Sequence, residues 1–299
     1  MTYQIDGISY ILKQACDLSF LCRYGKTFTV FDQNDSGNIS FGVAGKKGKY
    51  FIKIAGADTT NSCVTGAEAA ANLKKAIPLY EALRHPALIE LIGHYQYGDL
   101  YTAVFKWADG ECIMDYRNSD KYERTGERSP WQRFYALPLE KRLKSFEVVC
   151  DFLRQVAEQG YIAIDFYDGS IMYDFETDTT TICDIDLFSK RPYINQMGKM
   201  WGSERFKSPE ENKFGAVIDE TTNVFTLGAV SFMFFGGNAE ELRYSGSREF
   251  EDWRTGKALY DVAMKAASPE KQDRYRSIAQ FTNAWASALP RQNQFGTAQ

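Results

Sequence analysis

The chain has 299 residues, with 44 % apolar and 25 % charged side chains, so it carries enough apolar material for one large or two smaller cores. Its 35 basic and 39 acidic residues leave a net charge of −4, which excludes a global basic field for non-specific nucleic-acid binding. Only two histidines, His85 and His94, are present, and the six cysteines (Cys16, Cys22, Cys63, Cys112, Cys150, Cys183) include no C-x-x-C pair. A His-rich metal centre and a structural zinc site of closely paired cysteines are therefore disfavoured. With no secretory h-region at the N-terminus, reduced thiols in a cytoplasmic setting are the expectation.

The first strong signals begin at Lys26. Thr27–Phe31, Ile39–Val43 and Lys49–Ala55 are rich in β-branched and aromatic residues, and the turn clusters Asn34-Asp-Ser-Gly-Asn38 and Gly45-Lys-Lys-Gly48 separate them. Turns this short allow only an antiparallel meander. Thr65 with Glu68 three residues on has capping-box spacing and opens a helix that Pro78 should break or kink. Ala87–His94 and Leu100–Phe105 read as two further strands, and Phe105–Gly110 as a connector.

The charged run Asp115–Arg133 reads as loop or short helix. Leu143, Phe146, Cys150, Leu153 and Ala157 recur at helical spacing and predict a helix of about 20 residues from Leu139. A strand–loop–strand segment spans Tyr161–Phe188. The apolar run Asn223–Phe235 reaches only about 20 Å as a helix, short of the roughly 30 Å needed to span a bilayer. It reads as an all-round buried helix opened by Thr222/Asn223 and stopped by Gly236-Gly237. Helices follow, ending with Ile278, Phe281 and Trp285, before a polar tail over 290–299.

This order of elements, with an interior Lys53 in Phe51-Ile-Lys53, Asp165 in Asp165-Phe-Tyr-Asp-Gly-Ser-Ile-Met172, Asp184 in Asp184-Ile-Asp186 and Gly202-Ser-Glu-Arg-Phe-Lys-Ser-Pro-Glu210, resembles the protein-kinase-like superfamily over roughly Lys26–Ala286. The resemblance implies a bilobal α+β fold: an N-lobe of small antiparallel sheet with one main helix over 1–107, a mostly helical C-lobe over 108–289, and a flexible tail over 290–299. It implies that Lys53 holds the phosphates of ATP and that Glu68 holds Lys53, with Glu81 as the rival. Ser36, Gly37 and Asn38 would cover the phosphates, although the hairpin lacks G-x-G-x-x-G and an ordinary turn explains it equally well. Phe51 stands where a smaller residue is usual. The antibiotic-kinase branch also has an aromatic there, which implies stacking on adenine for about 1 kcal/mol. Backbone groups of Lys106 and Ala108 would meet adenine, with Phe105 behind and Met172 below.

The catalytic-loop pattern H-R-D-x-x-x-x-N is only partly kept. Asp165 matches the base, Ala163 and Ile164 replace His and Arg, and Ser170 stands where Asn would hold a second metal ion, with Asp168 or water to compensate. Without that arginine, no phosphorylation switch of the activation segment is expected. Asp184 matches the metal-holding Asp of D-F-G, with Asp186 as an extra ligand or stiffener. Two carboxylates after an apolar strand are costly without a cation or hydrogen bonds. Gly202–Glu210 resembles G-T-x-x-Y-x-A-P-E. It implies that Ser203 lies near Asp165 and that a buried Glu210 is paired with Arg274. Asn223 stands where the central large-lobe helix usually has Asp.

Taken one by one, a surface lysine, a solvated helix glutamate and a polar turn account for most of these residues. Their agreement in order and spacing is what favours the kinase reading. The expectation is a serine/threonine protein kinase with a degenerate catalytic loop, using ATP and Mg²⁺ (Mn²⁺ as substitute) on a protein or small-molecule hydroxyl, with no nucleic acid or membrane partner. The alternatives are an aminoglycoside- or choline-kinase-like enzyme, for which Phe51 and Asp-Ile-Asp speak, and a nucleotide-binding pseudokinase acting as a regulatory module.

Overall fold

A computed structural model describes residues 1–115, 118–236 and 250–289. The expected tail over 290–299, Gly237 of the glycine pair, and Tyr116 and Arg117 of the charged run lie outside the described residues. The fold is mixed α and β, with small antiparallel sheets and seven α-helices among the described residues. The chain divides into two compact units after Asp109. No helix among the described residues is long and apolar enough to cross a membrane.

The first unit opens on a hairpin, β1 (Thr2–Ile5) and β2 (Ile8–Ile11). Asp6 and Gly7 turn it with φ of 53° and 88°, both left-handed, as an Asp-Gly hairpin turn requires. A five-stranded antiparallel sheet follows, in the order β3 (Lys26–Phe31), β4 (Asn38–Gly45), β5 (Gly48–Ala55), β7 (Leu100–Lys106), β6 (Leu91–Tyr97). The expected strand at Ala87–His94 begins four residues later. His85-Pro86 makes a turn in which the Ala87 N–H donates to His85 Nδ1 at 3.1 Å.

Alternation along β5 sends Ile52 and Ile54 to one face of the sheet and Phe51 and Lys53 to the other. The first face is the core, where Ile39, Phe41, Val43, Ile52, Ile54 and Val104 pack against Tyr10, Leu12, Phe20 and Leu21 of the N-terminal segment. The second face carries α1 (Gly66–Ala82), which packs on β5 and β7 and sets Tyr80 edge-on to Phe105, ring centroids 4.9 Å apart.

Pro78 does not break α1. It lies on the exposed face, so the Lys74 carbonyl it deprives of a donor turns to water while Leu73, Ala76, Ile77 and Tyr80 stay buried.

The second unit begins with β8 (Glu111–Cys112), and the charged run forms two short helices, α2 (Ser119–Thr125) and α3 (Pro130–Tyr135). The predicted 20-residue helix is α4 (Leu139–Glu158). β9 (Tyr161–Ile162) precedes a hairpin of β10 (Ile171–Asp174) and β11 (Thr179–Ile182), to which β8 adds as a third strand along β10. Two small pairings follow: β12 (Ser189–Lys190) with β9, and β13 (Tyr193–Ile194) with β14 (Val217–Ile218).

α5 (Glu220–Phe235) is buried almost throughout, as its continuous apolar run requires. It opens three residues before the expected Thr222/Asn223, because the Asp219 side chain accepts from Thr221 N–H at 2.9 Å and caps it. α6 (Lys257–Ala266) and α7 (Ile278–Ala288) pack on it, and Phe146, Phe235, Phe281 and Trp285 form an aromatic cluster between α4, α5 and α7.

Candidate functional site

In the first unit, Lys53 is half-buried on the helix-bearing face, opposite Ser40 on β4 and Ala103 on β7. Phe51 is two residues away on that face, opposite Phe105 on β7, with ring centroids 6.3 Å apart, and Phe31 packs on its other side at 5.9 Å. Phe105 itself is buried. The Lys106 N–H is spent on the Glu90 carbonyl at 2.9 Å, and its ammonium stands 3.9 Å from the Glu90 carboxylate, in the open. Ala108 lies in the irregular connector between Trp107 and Asp109, half-buried.

Glu68 is exposed and closes the predicted capping box. Its Oε2 accepts from the Thr65 N–H and O–H, both at 2.8 Å, which holds its carboxyl below the usual range. Glu81 reaches His94 Nε2 at 3.9 Å. The capping bonds account for Glu68 at the helix start.

The hairpin at 34–38 is packed rather than open. Gly37 has φ +77°, and a Cβ there would stand 2.9 Å from both Ala69 Cβ and Ser62 Oγ, so only glycine lets the turn sit on the entry to α1. Asn38 is buried, and its Nδ2 donates to the exposed Ser36 Oγ at 3.2 Å. Asn38 Oδ1 has no hydrogen-bond partner.

In the second unit, the β10–β11 hairpin explains how two distant motifs meet. Ile171 pairs with Ile182, and the Cys183 N–H bonds the Ser170 carbonyl at 3.0 Å, so the end of the Asp165 loop and the start of Asp184-Ile-Asp186 lie side by side. Asp165 adopts φ +61°, a left-handed conformation uncommon outside glycine and most tolerated by Asn and Asp. The backbone just before it is held by Asn223, whose Oδ1 accepts from the Ala163 N–H at 2.8 Å and whose Nδ2 donates to the Ala163 carbonyl at 2.7 Å. The pairing gives both polar atoms of a buried amide a partner.

Ser170 is buried, and its hydroxyl donates to the Asp165 carbonyl at 3.4 Å. Met172 lies half-buried on β10, between Thr181 and Cys112.

Asp184 is exposed, and its Oδ1 accepts from the Asp186 N–H at 3.1 Å. The expected burial cost is therefore absent at Asp184: β11 ends at Ile182, and the residue is exposed. Among the described residues no three His, Cys, Asp or Glu side chains gather closely enough to hold a metal ion unaided. Two carboxylates two residues apart, one exposed and one half-buried, nevertheless suit Mg²⁺, which takes one or two protein carboxylates and fills its octahedron with water and phosphate.

The Gly202–Glu210 segment lies against the Asp165 loop at two points. Gly202 has φ +112°, and a Cβ there would stand 3.0 Å from Asp165 Oδ1. Arg205 Nη2 donates to Asp168 Oδ2 at 2.6 Å, with Asp168 fully buried. Asp168 is thus the anchor of an ion pair between two loops rather than a solvent-facing ligand. Sequence reasoning passed over Arg205, since nothing local marks a pair 37 residues apart.

The expected Glu210–Arg274 pair is present and bidentate, at 2.7 and 3.0 Å. Burial pushes the Glu210 carboxyl up, but the Arg274 bonds and charge more than offset it and leave it below the usual range.

Its neighbour Glu211 is driven the other way. Burial, with Glu210 alongside, raises it from 4.5 to about 7, against the Ser208 N–H and O–H that donate to it at 2.7 and 2.9 Å. The folded state therefore binds this proton more tightly than the unfolded chain does. The resulting stabilisation is complete below about pH 4.5 and is lost as pH rises through 7, an amount of about 3 kcal/mol. Glu211→Gln keeps an acceptor oxygen for Ser208 and should flatten that slope. Urea midpoints of both proteins between about pH 5 and 8 measure it; parallel curves would show that Glu211 does not titrate there.

No family model matches the chain, and no curated protein matches it in sequence.

Proposed function

We propose that the chain is an ATP-dependent phosphotransferase with the two-lobed protein-kinase-like architecture, transferring the γ-phosphoryl of ATP to a hydroxyl, most nearly as a serine/threonine protein kinase with a degenerate catalytic loop. The observation that carries the reading is the buried bidentate Glu210–Arg274 pair, which joins residues 64 apart. The motif resemblance implies this anchor for an activation segment. The small-molecule branch generally lacks it, which ranks that reading second. Asn223 clasping Ala163 immediately before Asp165, and the hairpin joining Ser170 to Cys183-Asp184, support the same assignment.

In this reading Lys53 neutralises phosphate oxygens, and Asp165 orients the acceptor hydroxyl and receives its proton. Asp184, with Asp186, would hold Mg²⁺, which when bound neutralises charge developing on the β/γ-phosphate oxygens. Phe51 and Phe105 offer aromatic faces to a base, and since the Lys106 N–H is engaged, adenine contacts fall to the Lys106 carbonyl and the Ala108 N–H. Arg205 on Asp168 supplies a cation to the loop that lacks the usual arginine at Ile164.

A binding module without turnover is the rival from another class. It draws on the buried Ser170 in the place of a second metal ligand and on Glu68 serving as a helix cap.

The purified chain, incubated with Mg-ATP, should gain thermal stability and transfer labelled phosphoryl to itself or to a peptide pool. Stabilisation without transfer under Mg²⁺ or Mn²⁺ would favour the binding module. Transfer only to a pool of hydroxylated metabolites would favour the small-molecule branch. No effect of ATP on either measurement rejects the proposal.

A further inference from the structure

The proposed phosphotransferase leaves a pair of thiols without a role. Cys112 on β8 and Cys183 at the end of β11 are 71 residues apart in sequence, yet their Sγ atoms stand 4.0 Å from each other. None of the six cysteines is disulfide-bonded. The three-stranded sheet explains the approach. Cys112 and Thr181 both pair with Met172 across β10, and Cys183 shares the parity of Thr181, so Cys112, Met172 and Cys183 occupy one face. That face is half-exposed, whereas Ile171, Tyr173, Thr180 and Ile182 on the opposite face are buried. Two thiols in contact and a methionine thus share one half-exposed face of the sheet.

Two chemistries join thiols at this separation. A disulfide needs its Cα atoms within roughly 7 Å, whereas these two residues lie on, or just past, strands separated by β10, and two strand spacings amount to about 9.5 Å. A bridging metal ion needs no such closure. With metal–sulfur bonds of about 2.3 Å, sulfurs 4.0 Å apart subtend roughly 120° at the ion, the trigonal angle. A third, thioether sulfur on the same face completes a donor set that selects a soft ion over Mg²⁺.

We propose that Cys112 and Cys183, assisted by Met172, form a binding site for a thiophilic monovalent cation of the Cu(I) class. Binding exchanges two S–H bonds for two metal–thiolate bonds and releases two protons to solvent, with no change of oxidation state. The site lies wholly within the second unit and does not depend on the phosphotransferase reading.

Anaerobic titration of the full chain with Cu(I), in competition with a chromophoric chelator, tests the site. Wild type should take one tight equivalent. Cys112→Ser and Cys183→Ser should each weaken it at least roughly tenfold, because losing a direct ligand costs no less than losing an outer-shell partner. Met172→Leu should weaken it less, and Cys22→Ser, in the other unit, not at all. Thermal unfolding without metal shows whether each variant is folded, and Cys112→Ala serves where a serine variant is not. Wild-type affinity in both Cys112→Ser and Cys183→Ser, or an equal loss in Cys22→Ser, overturns the assignment.

Discussion

Replacing Arg274 by leucine should lower the stability of the second unit by about 3–5 kcal/mol, the usual cost of breaking a buried ion pair on one side. The guanidinium is wholly buried and places all its donors: on both Glu210 oxygens, and on the carbonyls of Ser268, Pro269 and Thr221 at 2.7, 2.7 and 3.2 Å. The Phe225 ring lies 4.9 Å from its carbon, so packing is lost with the charge. In the variant Glu210 keeps its own backbone N–H, the Thr222 hydroxyl at 2.9 Å and the Lys271 ammonium at 3.8 Å.

For a unit of this size the loss corresponds to roughly 6–20 °C in unfolding midpoint. The double variant Glu210→Leu/Arg274→Leu separates two causes: it removes the stranded charge and should recover part of the loss. A midpoint for Arg274→Leu within about 1 °C of wild type would mean that the pair does not anchor the segment.

That pair was legible because both partners sit in motifs, Ser-Pro-Glu and the Arg274 stretch before the last helix. The same holds for the capping box of Thr65 and Glu68 and for α4, whose apolar residues repeat at helical spacing. Local rules such as capping and periodicity act over three or four residues, so the amino-acid order displays them directly.

What escaped fell into two kinds. Some local signals were present but unread: Asp6-Gly7 announces the first hairpin, and Asp219 is a better cap than Thr222. Others have no local expression. The Arg205–Asp168 pair and the thiol pair arise only once β10 and β11 have paired and the Gly202 segment has folded over the Asp165 loop. Pro78 belongs between the two, since the propensity for a break was plain but its exposure on α1, which spares the Lys74 carbonyl from burial without a donor, is a tertiary fact. For the candidate site, position along the chain indicated which residues to inspect. It did not indicate that Asp184 is exposed or that Asp168 is buried against Arg205.

Asp184→Ala should lower phosphoryl transfer at least about a thousandfold, some 4 kcal/mol in activation free energy, while leaving the fold intact. The two halves of this expectation have separate grounds. Asp184 follows β11, is exposed, and its Oδ1 accepts a turn-type bond from the Asp186 N–H, so truncation should leave the fold standing. Its proposed task, in contrast, is irreplaceable: Asp186 supplies a carboxylate two residues on, but one ligand cannot both hold Mg²⁺ and fix its position against the phosphates. Asp165→Asn is the natural companion, because asparagine tolerates the left-handed φ of +61° and the substitution changes charge without strain.

A purely structural role would make activity and unfolding midpoint fall together. The catalytic role predicts an unchanged midpoint without nucleotide, lost stabilisation by Mg-ATP in Asp184→Ala, and retained stabilisation but lost turnover in Asp165→Asn. Wild-type rates in Asp184→Ala would detach the Asp-Ile-Asp turn from the chemistry and overturn the metal-holding role proposed for it.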